Sequence, residues 1–155
     1  MNFVPICYLV ALITWLGSII FFSFIGAPSL FKALPLETAS KAVSAIFPKY
    51  YPLGITCGFI LLATLIWSTA KTGVWAPLKI LVVLLMLTLT IYNTLVTYPR
   101  TKSLKAEMGE ITERTDMVHL KAEFDRAHRL SVINNSLVLL LGLILVVLTA
   151  RGLIL

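Results

Sequence analysis

Four long apolar stretches, at about residues 5–30, 53–69, 75–98 and 131–150, constrain this chain more than any other feature. A bilayer with a hydrocarbon core ~30 Å thick asks for ~20 apolar residues per helical crossing, and soluble cores need no uninterrupted stretches of that length. Composition agrees: 59% of the 155 residues are hydrophobic and 13% charged, against roughly 45–50% and 25% in soluble domains. The reading is an all-α, polytopic membrane protein, one domain over residues 1–155 folded as a four-helix transmembrane bundle. The four crossings use most of the chain and leave no length for a separate soluble catalytic domain.

The charges are distributed unevenly between the connections. Ten of the thirteen Lys and Arg residues follow the first and third stretches: Lys32, Lys41 and Lys49, then seven from Arg100 to Arg129. Lys71, Lys79 and Arg151 lie at the other end. The positive-inside rule then places both termini outside and the two larger loops in the cytoplasm, in the inner or plasma membrane if the source is bacterial. Topology also accounts for the net charge of +6, so the expected partner is the lipid bilayer and not nucleic acid. The N-terminus has no basic residue before the first stretch, which is too long for a signal h-region, so that span is expected to be retained.

Prolines and aromatics suggest boundaries. Pro5 opens the first span, and Gly26, Ala27 and Pro28 are expected to close it. Residues 36–47 read as an amphipathic helix on the membrane surface, with Pro48 and Pro52 bracketing the start of the second span. Trp67 and Trp75 mark one interface, while Phe47, Tyr50, Tyr51, Tyr92 and Tyr98 mark the other. Pro99 is expected to end the third span. In residues 101–130, Leu104, Met108 and Ile111 recur at helical spacing, as do Met117, Leu120, Phe124 and Ala127. Gly109 and Thr112 suit a break and a cap. This segment reads as a cytoplasmic amphipathic elbow between the third and fourth helices, its second arm running on into the fourth span.

No Asp, Glu, Lys, Arg or His falls well inside a span, which argues against a proton-coupled transporter or pump. It also argues against a haem ligated within the bundle, which would need an intramembrane His. Gly17, Ser18, Gly26 and Pro28 form a small-residue face suited to helix packing, and the intramembrane Ser and Thr residues read as interhelical glue. Cys7 and Cys57 lack Cys or His partners at ligand spacing and read as small apolar residues.

The asparagines ask for more, because an amide in hydrocarbon without partners is costly. His128, Ser131 and Asn135 share a helix face, and Tyr92, Asn93 and Arg100 fall at similar depth on the neighbouring span. These six residues form the candidate ligand-binding cluster, with a structural polar network as the alternative. Asp116, His119 and Glu123 also share a face and have metal-binding side chains. Their crowding by opposite charges favours a solvated salt-bridged surface over a metal site. No nucleophile–base motif or phosphate-binding glycine loop is present.

Three groups of residues together resemble the transmembrane protein 205-like family. They are Trp15, Gly17, Ser18, Gly26, Ala27, Pro28 and Phe31; then Ala45, Phe47, Pro48, Tyr50 and Tyr51; then Tyr92, Asn93, Tyr98, Pro99, Arg100 and Lys102. His128, Ser131, Asn134 and Asn135 extend the likeness nearly end to end. The resemblance implies a four-span bundle of unsettled activity, with an animal member linked to platinum-drug resistance. A more distant similarity is to copper-resistance membrane proteins and to the haem-bearing membrane protoporphyrinogen oxidase. Where that oxidase carries a first-span His, this chain has Tyr8, so the haem-ligand role does not carry over. The leading expectation is a non-enzymatic membrane protein that binds or moves a small solute or metal ion in a resistance-type role. An accessory subunit of a larger membrane complex or homo-oligomer stands second, and a haem-binding membrane protein third; no cofactor is named.

Overall fold

The computed structural model of the protein describes residues 3–74, 76–110 and 114–153, and these are helical apart from short connections. The order is α1 (Phe3–Ile20), a π turn (Phe21–Gly26), α2 (Ala27–Ala33), α3 (Leu36–Thr72), α4 (Pro77–Tyr92), a second π turn (Asn93–Thr97), α5 (Tyr98–Glu110) and α6 (Arg114–Leu153). The π turns join their flanking helices without a break. The chain therefore makes four rods, Phe3–Ala33, Leu36–Thr72, Pro77–Gly109 and Asp116–Arg151, all long and apolar enough to cross a membrane.

The connections are short and follow local chemistry. Leu34 turns extended, at φ −122° and ψ 152°, as a residue preceding a proline favours. Gly73 closes α3 at φ 69° with its N–H on the Thr69 carbonyl, a left-handed cap that a side chain would strain. Pro77 then opens α4, where its missing N–H costs nothing.

The rods pack as a ring: α1 against α3, α3 against α4, α4 against α6, and α6 back against α1. The core holds Trp15, Ile19, Leu61, Val83, Met86, Val138 and Leu145, each at most 2% exposed. Large apolar side chains such as Phe21, Phe59, Ile66, Leu95 and Leu140 face outward, as expected where the surrounding solvent is hydrocarbon. Close approach depends on glycine. A Cβ on Gly54 would lie 2.8 Å from Trp15 Nε1, one on Gly58 would overlap Leu87, and one on Gly142 would overlap Leu16. Gly54 and Gly58 form a G-x-x-x-G pair of the kind that lets membrane helices approach closely.

The spans overrun their expected ends. The first continues past Gly26, Ala27 and Pro28 to Ala33, and the third past Pro99 to Glu110. In both cases a π turn precedes the proline. Ala27 N–H bonds to Phe22 O immediately before Pro28, and Tyr98 N–H bonds to Asn93 O immediately before Pro99. The widened turn shifts the hydrogen-bond ladder by one residue just where the ring would disrupt it.

The expected surface helix over 36–47 is likewise not separate. It is the first third of α3, which runs through Pro48 and Pro52. Both prolines are exposed and sit one turn apart, and aromatic contacts beside them, described below, brace the two halves. Interior prolines are tolerated in membrane helices when neighbouring groups restore the lost contacts.

At 1.5 Å per residue the 31- to 37-residue rods measure roughly 46–56 Å, well beyond a ~30 Å hydrocarbon core. Lys71, Lys79 and Arg151 lie at one end of the bundle, so the excess length extends from the other, cation-rich end. There α5 packs against the start of α6. Leu104 and Ala127 are buried, and Met108, Met117, Leu120 and Phe124 are half-buried. Ile111 and Thr112 of the proposed elbow, and Trp75 of the proposed interface belt, lie outside the described residues.

Candidate functional site

Each rod contributes one face to a cavity of about 930 Å³ at the cation-rich end. From α3 come Ser40, Ser44, Phe47 and Tyr51; from α6, Phe124, His128, Ser131 and Asn135; from α5, Tyr98, Lys102 and Lys105; and from the first π turn, Phe22 and Ser23. The spacings are single helical faces, i, i+4, i+7 and i+11 along both α3 and α6. The volume lies near the top of the usual range for small-molecule pockets, ~300–1,000 Å³.

The inner wall is aromatic. Phe47 stacks on Tyr51 at 5.5 Å and 15°, meets Phe22 edge-on at 5.5 Å, and lies 5.9 Å from Tyr98. Tyr50 joins at 5.4 Å from Phe22. These contacts bridge three spans beside Pro48 and Pro52, and they keep α3 continuous there.

Below the rings runs a polar network. Tyr50 Oη donates to Asn135 Oδ1 at 2.9 Å, and Asn135 Nδ2 donates to Ser23 Oγ at 3.3 Å. Tyr51 Oη and Ser131 Oγ are 3.3 Å apart. Asn93 Nδ2 donates to the Ser131 carbonyl at 3.3 Å, while its Oδ1 accepts from Asn134 Nδ2 at 3.0 Å. Both π turns serve this network, the first through Ser23 and the second through Asn93. A π turn offsets the residues after it by about 100° relative to an unbroken α-helix. Thr97, closing the second, is buried, and its Oγ1 is the one buried side-chain polar atom without a partner among the described residues.

The outer wall is cationic. Lys105 Nζ donates to Ser40 Oγ at 2.6 Å and to Ser44 Oγ at 3.2 Å. Ser44 spends its own proton on the Ser40 carbonyl at 2.7 Å, leaving its lone pairs to Lys105. Lys41 also lines the cavity and pairs with Glu37 at 2.7 Å. Among the described residues no Asp or Glu lines the cavity.

Of the six residues expected to bind ligand, His128, Ser131 and Asn135 line the cavity, and Asn93 lies directly behind Ser131. Tyr92 is 42% exposed and apart from them. Arg100 points away, to Glu123 at 3.2 Å. Glu123, a member of the candidate metal trio, is the partner in that ion pair. Asp116, His119 and Glu123 are all exposed, and no group of three potential metal-holding side chains occurs among the described residues.

The expected packing face makes little contact within the bundle. Gly17 is exposed with nothing within 4 Å of a Cβ, and a Cβ on Gly26 would meet only its own helix. Ser18 bonds back to the Trp15 carbonyl at 2.7 Å, and Pro28 is exposed. Within the chain, close approach belongs to Gly54, Gly58 and Gly142. Tyr50, Tyr51, Ser40, Ser44 and Lys105 were not expected at the site. The hydroxyl face of Ser40 and Ser44 was visible as an i, i+4 pair, but its meaning depends on Lys105, 61 residues further on.

Residues 10–110 match a family described as a domain of unknown function. The chain belongs to this family, DUF4149. No curated protein and no solved structure matches it. The DUF4149 match takes in both π turns, the Gly54–Gly58 pair and Lys105, while the α6 side of the cavity lies beyond it. At the other end of the bundle, Tyr8 Oη and Thr149 Oγ1 lie 2.9 Å apart. The two His residues, 119 and 128, lie outside the apolar stretches.

Proposed function

We propose that this integral membrane protein is a non-enzymatic binder of a small amphipathic solute, held in the cavity between α2, α3, α5 and α6. The supporting observation is the cavity itself: aromatic and aliphatic on one wall, hydroxyl, amide and ammonium on the other. An amphiphile needs both surfaces, and hydrolytic chemistry needs a paired nucleophile and base. His128 instead stacks on Phe124, with ring centroids 6.0 Å apart and 2° between planes.

The positive-inside rule favours the ten-cation end, and with it the cavity, on the cytoplasmic side, with both termini outside. The resemblance to the transmembrane protein 205-like and copper-resistance proteins supports a resistance-type role in solute handling. The aromatic and aliphatic share of the lining favours an organic solute over a bare metal ion.

The test is thermal unfolding of the purified protein against a panel of neutral, cationic and anionic amphiphiles. At least one should raise the midpoint in wild type, and the double substitution His128→Ala with Asn135→Ala should abolish that rise. A wild type indifferent to the whole panel removes the binding reading.

One observation favours a second reading, as a subunit of a larger membrane complex or homo-oligomer. Gly17 is exposed in the middle of the first span, where a partner helix could approach closely. A stoichiometric partner in mild detergent, lost on Gly17→Leu, would support it.

A further inference from the structure

The structure assigns this cavity a ligand class: an anion carrying phosphate chemistry, whose charge is seated by Lys105 between Ser40 and Ser44. The inference deepens the solute-binding reading and rests on it. An ammonium has three N–H donors, of which two are spent on Ser40 Oγ and Ser44 Oγ. The hydroxyls fix the cation without neutralising it, so one N–H and the full charge remain for a ligand. Half-burial of Lys105 strengthens any attraction to an incoming anion relative to one at an open surface.

The surroundings repeat the pattern. Lys102 lies on the same α5 face and has no ion-pair partner among the described residues. The Ser40 hydroxyl proton and the His128 ring nitrogens are likewise uncommitted among them. Glu37 is outside the lining and held by Lys41, and Lys105 helps to favour its charged form. Lys41, Lys102 and Lys105 line the cavity and no described Asp or Glu does, so the lining carries an excess of positive charge. Several converging donors and point charges suit a phosphate oxyanion.

Phe22, Phe24, Phe31, Val43 and Val132 supply an apolar surface beside the cations, suited to a hydrocarbon tail. Basic pockets between transmembrane helices near the headgroup zone are a known means of holding lipid phosphates. A soluble organophosphate would meet the same donors.

The experiment uses the full chain in nanodiscs of phosphatidylcholine, with unfolding followed by tryptophan fluorescence. The probes are phosphatidic acid, its neutral diacylglycerol counterpart and glycerol 3-phosphate. Phosphatidic acid or glycerol 3-phosphate should raise the wild-type midpoint by about 3 °C or more. That shift should vanish in Lys105→Met, survive in Lys105→Arg, and survive in Lys71→Met at the far end of the bundle. A response to the lipid alone identifies a headgroup as the source, and a response to glycerol 3-phosphate identifies a soluble one. Should Lys105→Met fail to fold, Ser40→Ala with Ser44→Ala takes its place, with the half-maximal probe concentration rising about fivefold or more. If diacylglycerol shifts the midpoint as much as phosphatidic acid, or the shift persists in Lys105→Met, the anion seat is overturned and the cavity-binding reading stands. If no probe shifts wild type, the anion seat is overturned, and the cavity-binding reading is decided by the wider amphiphile panel.

Discussion

Trp15 of α1 rests in the notch left by Gly58 of α3, its ring edge 3.0 Å from where a Cβ on that glycine would sit. Gly54, one turn earlier, meets the other end of the same indole. A methyl at Gly58 would also overlap Leu87. Gly58→Ala should therefore cost about 1–3 kcal/mol from overpacking, reduced by the better helix propensity of alanine, about 1 kcal/mol. Gly17→Ala, with open space around it, should stay within about 0.5 kcal/mol of wild type or be stabilising. Reversible unfolding in mixed micelles measures both, and equal destabilisation by the two would contradict the packing described.

The Asn93–Asn134 bond, at 3.0 Å, joins α6 to the second π turn through two buried amides. Asn134→Leu alone leaves the Asn93 oxygen without its donor. Interhelical hydrogen bonds in membrane proteins contribute about 0.6–2 kcal/mol. A double-mutant cycle with Asn93→Leu and Asn134→Leu should return a coupling energy in that range. A coupling of zero would mean that the amides are satisfied elsewhere.

Thr97 should behave in the opposite way. Threonines at 64, 69, 88, 90 and 94 each bond to the carbonyl four residues back, but Thr97 Oγ1 is buried without a partner. Replacing an unsatisfied hydroxyl with an isosteric methyl removes a cost of about 1–3 kcal/mol. Thr97→Val should raise stability and Thr90→Val should not. A destabilised Thr97→Val would show that the hydroxyl has a role in the native state.

How much of this was legible in the sequence follows from the solvent. Span number and type were readable because hydrocarbon demands long apolar helices. The ends were not. Pro28, Pro48, Pro52 and Pro99 carry the signals that stop a water-soluble helix, and here two are absorbed by π turns and two by aromatic contacts across spans. The face shared by His128, Ser131 and Asn135 was readable from spacing, because it is a property of one helix. Their partners Tyr50, Tyr51 and Ser23 were not, because they come from two other helices whose relative rotation depends on packing. Tyr50 and Tyr51 satisfied an interface-belt reading equally well. Gly54 and Gly58 carried a readable motif, yet the small-residue face of Gly17 and Gly26 competed with it, and only tertiary packing separates the two.

Threading through the bilayer gives the most general prediction. In the ring of antiparallel rods, the α3–α4 turn at Gly73 and the α5 segment holding Ser103 lie at opposite ends. Cys57 is buried and Cys7 is exposed, so Cys7→Ser should remove the accessible background thiol. In that background, Gly73→Cys and Ser103→Cys should react with a membrane-impermeant maleimide from opposite sides of a sealed vesicle. Gly73 adopts a left-handed φ, so its substitution carries strain, and Lys71→Cys on the last turn of α3 serves as its duplicate. With the cation-rich end in the cytoplasm, inside-out vesicles should expose Ser103→Cys and right-side-out vesicles Gly73→Cys. Reversed labelling would overturn the orientation and leave the bundle intact. Labelling of both positions from one compartment would overturn the bundle as well, because two ends separated by a hydrocarbon layer cannot share one aqueous phase.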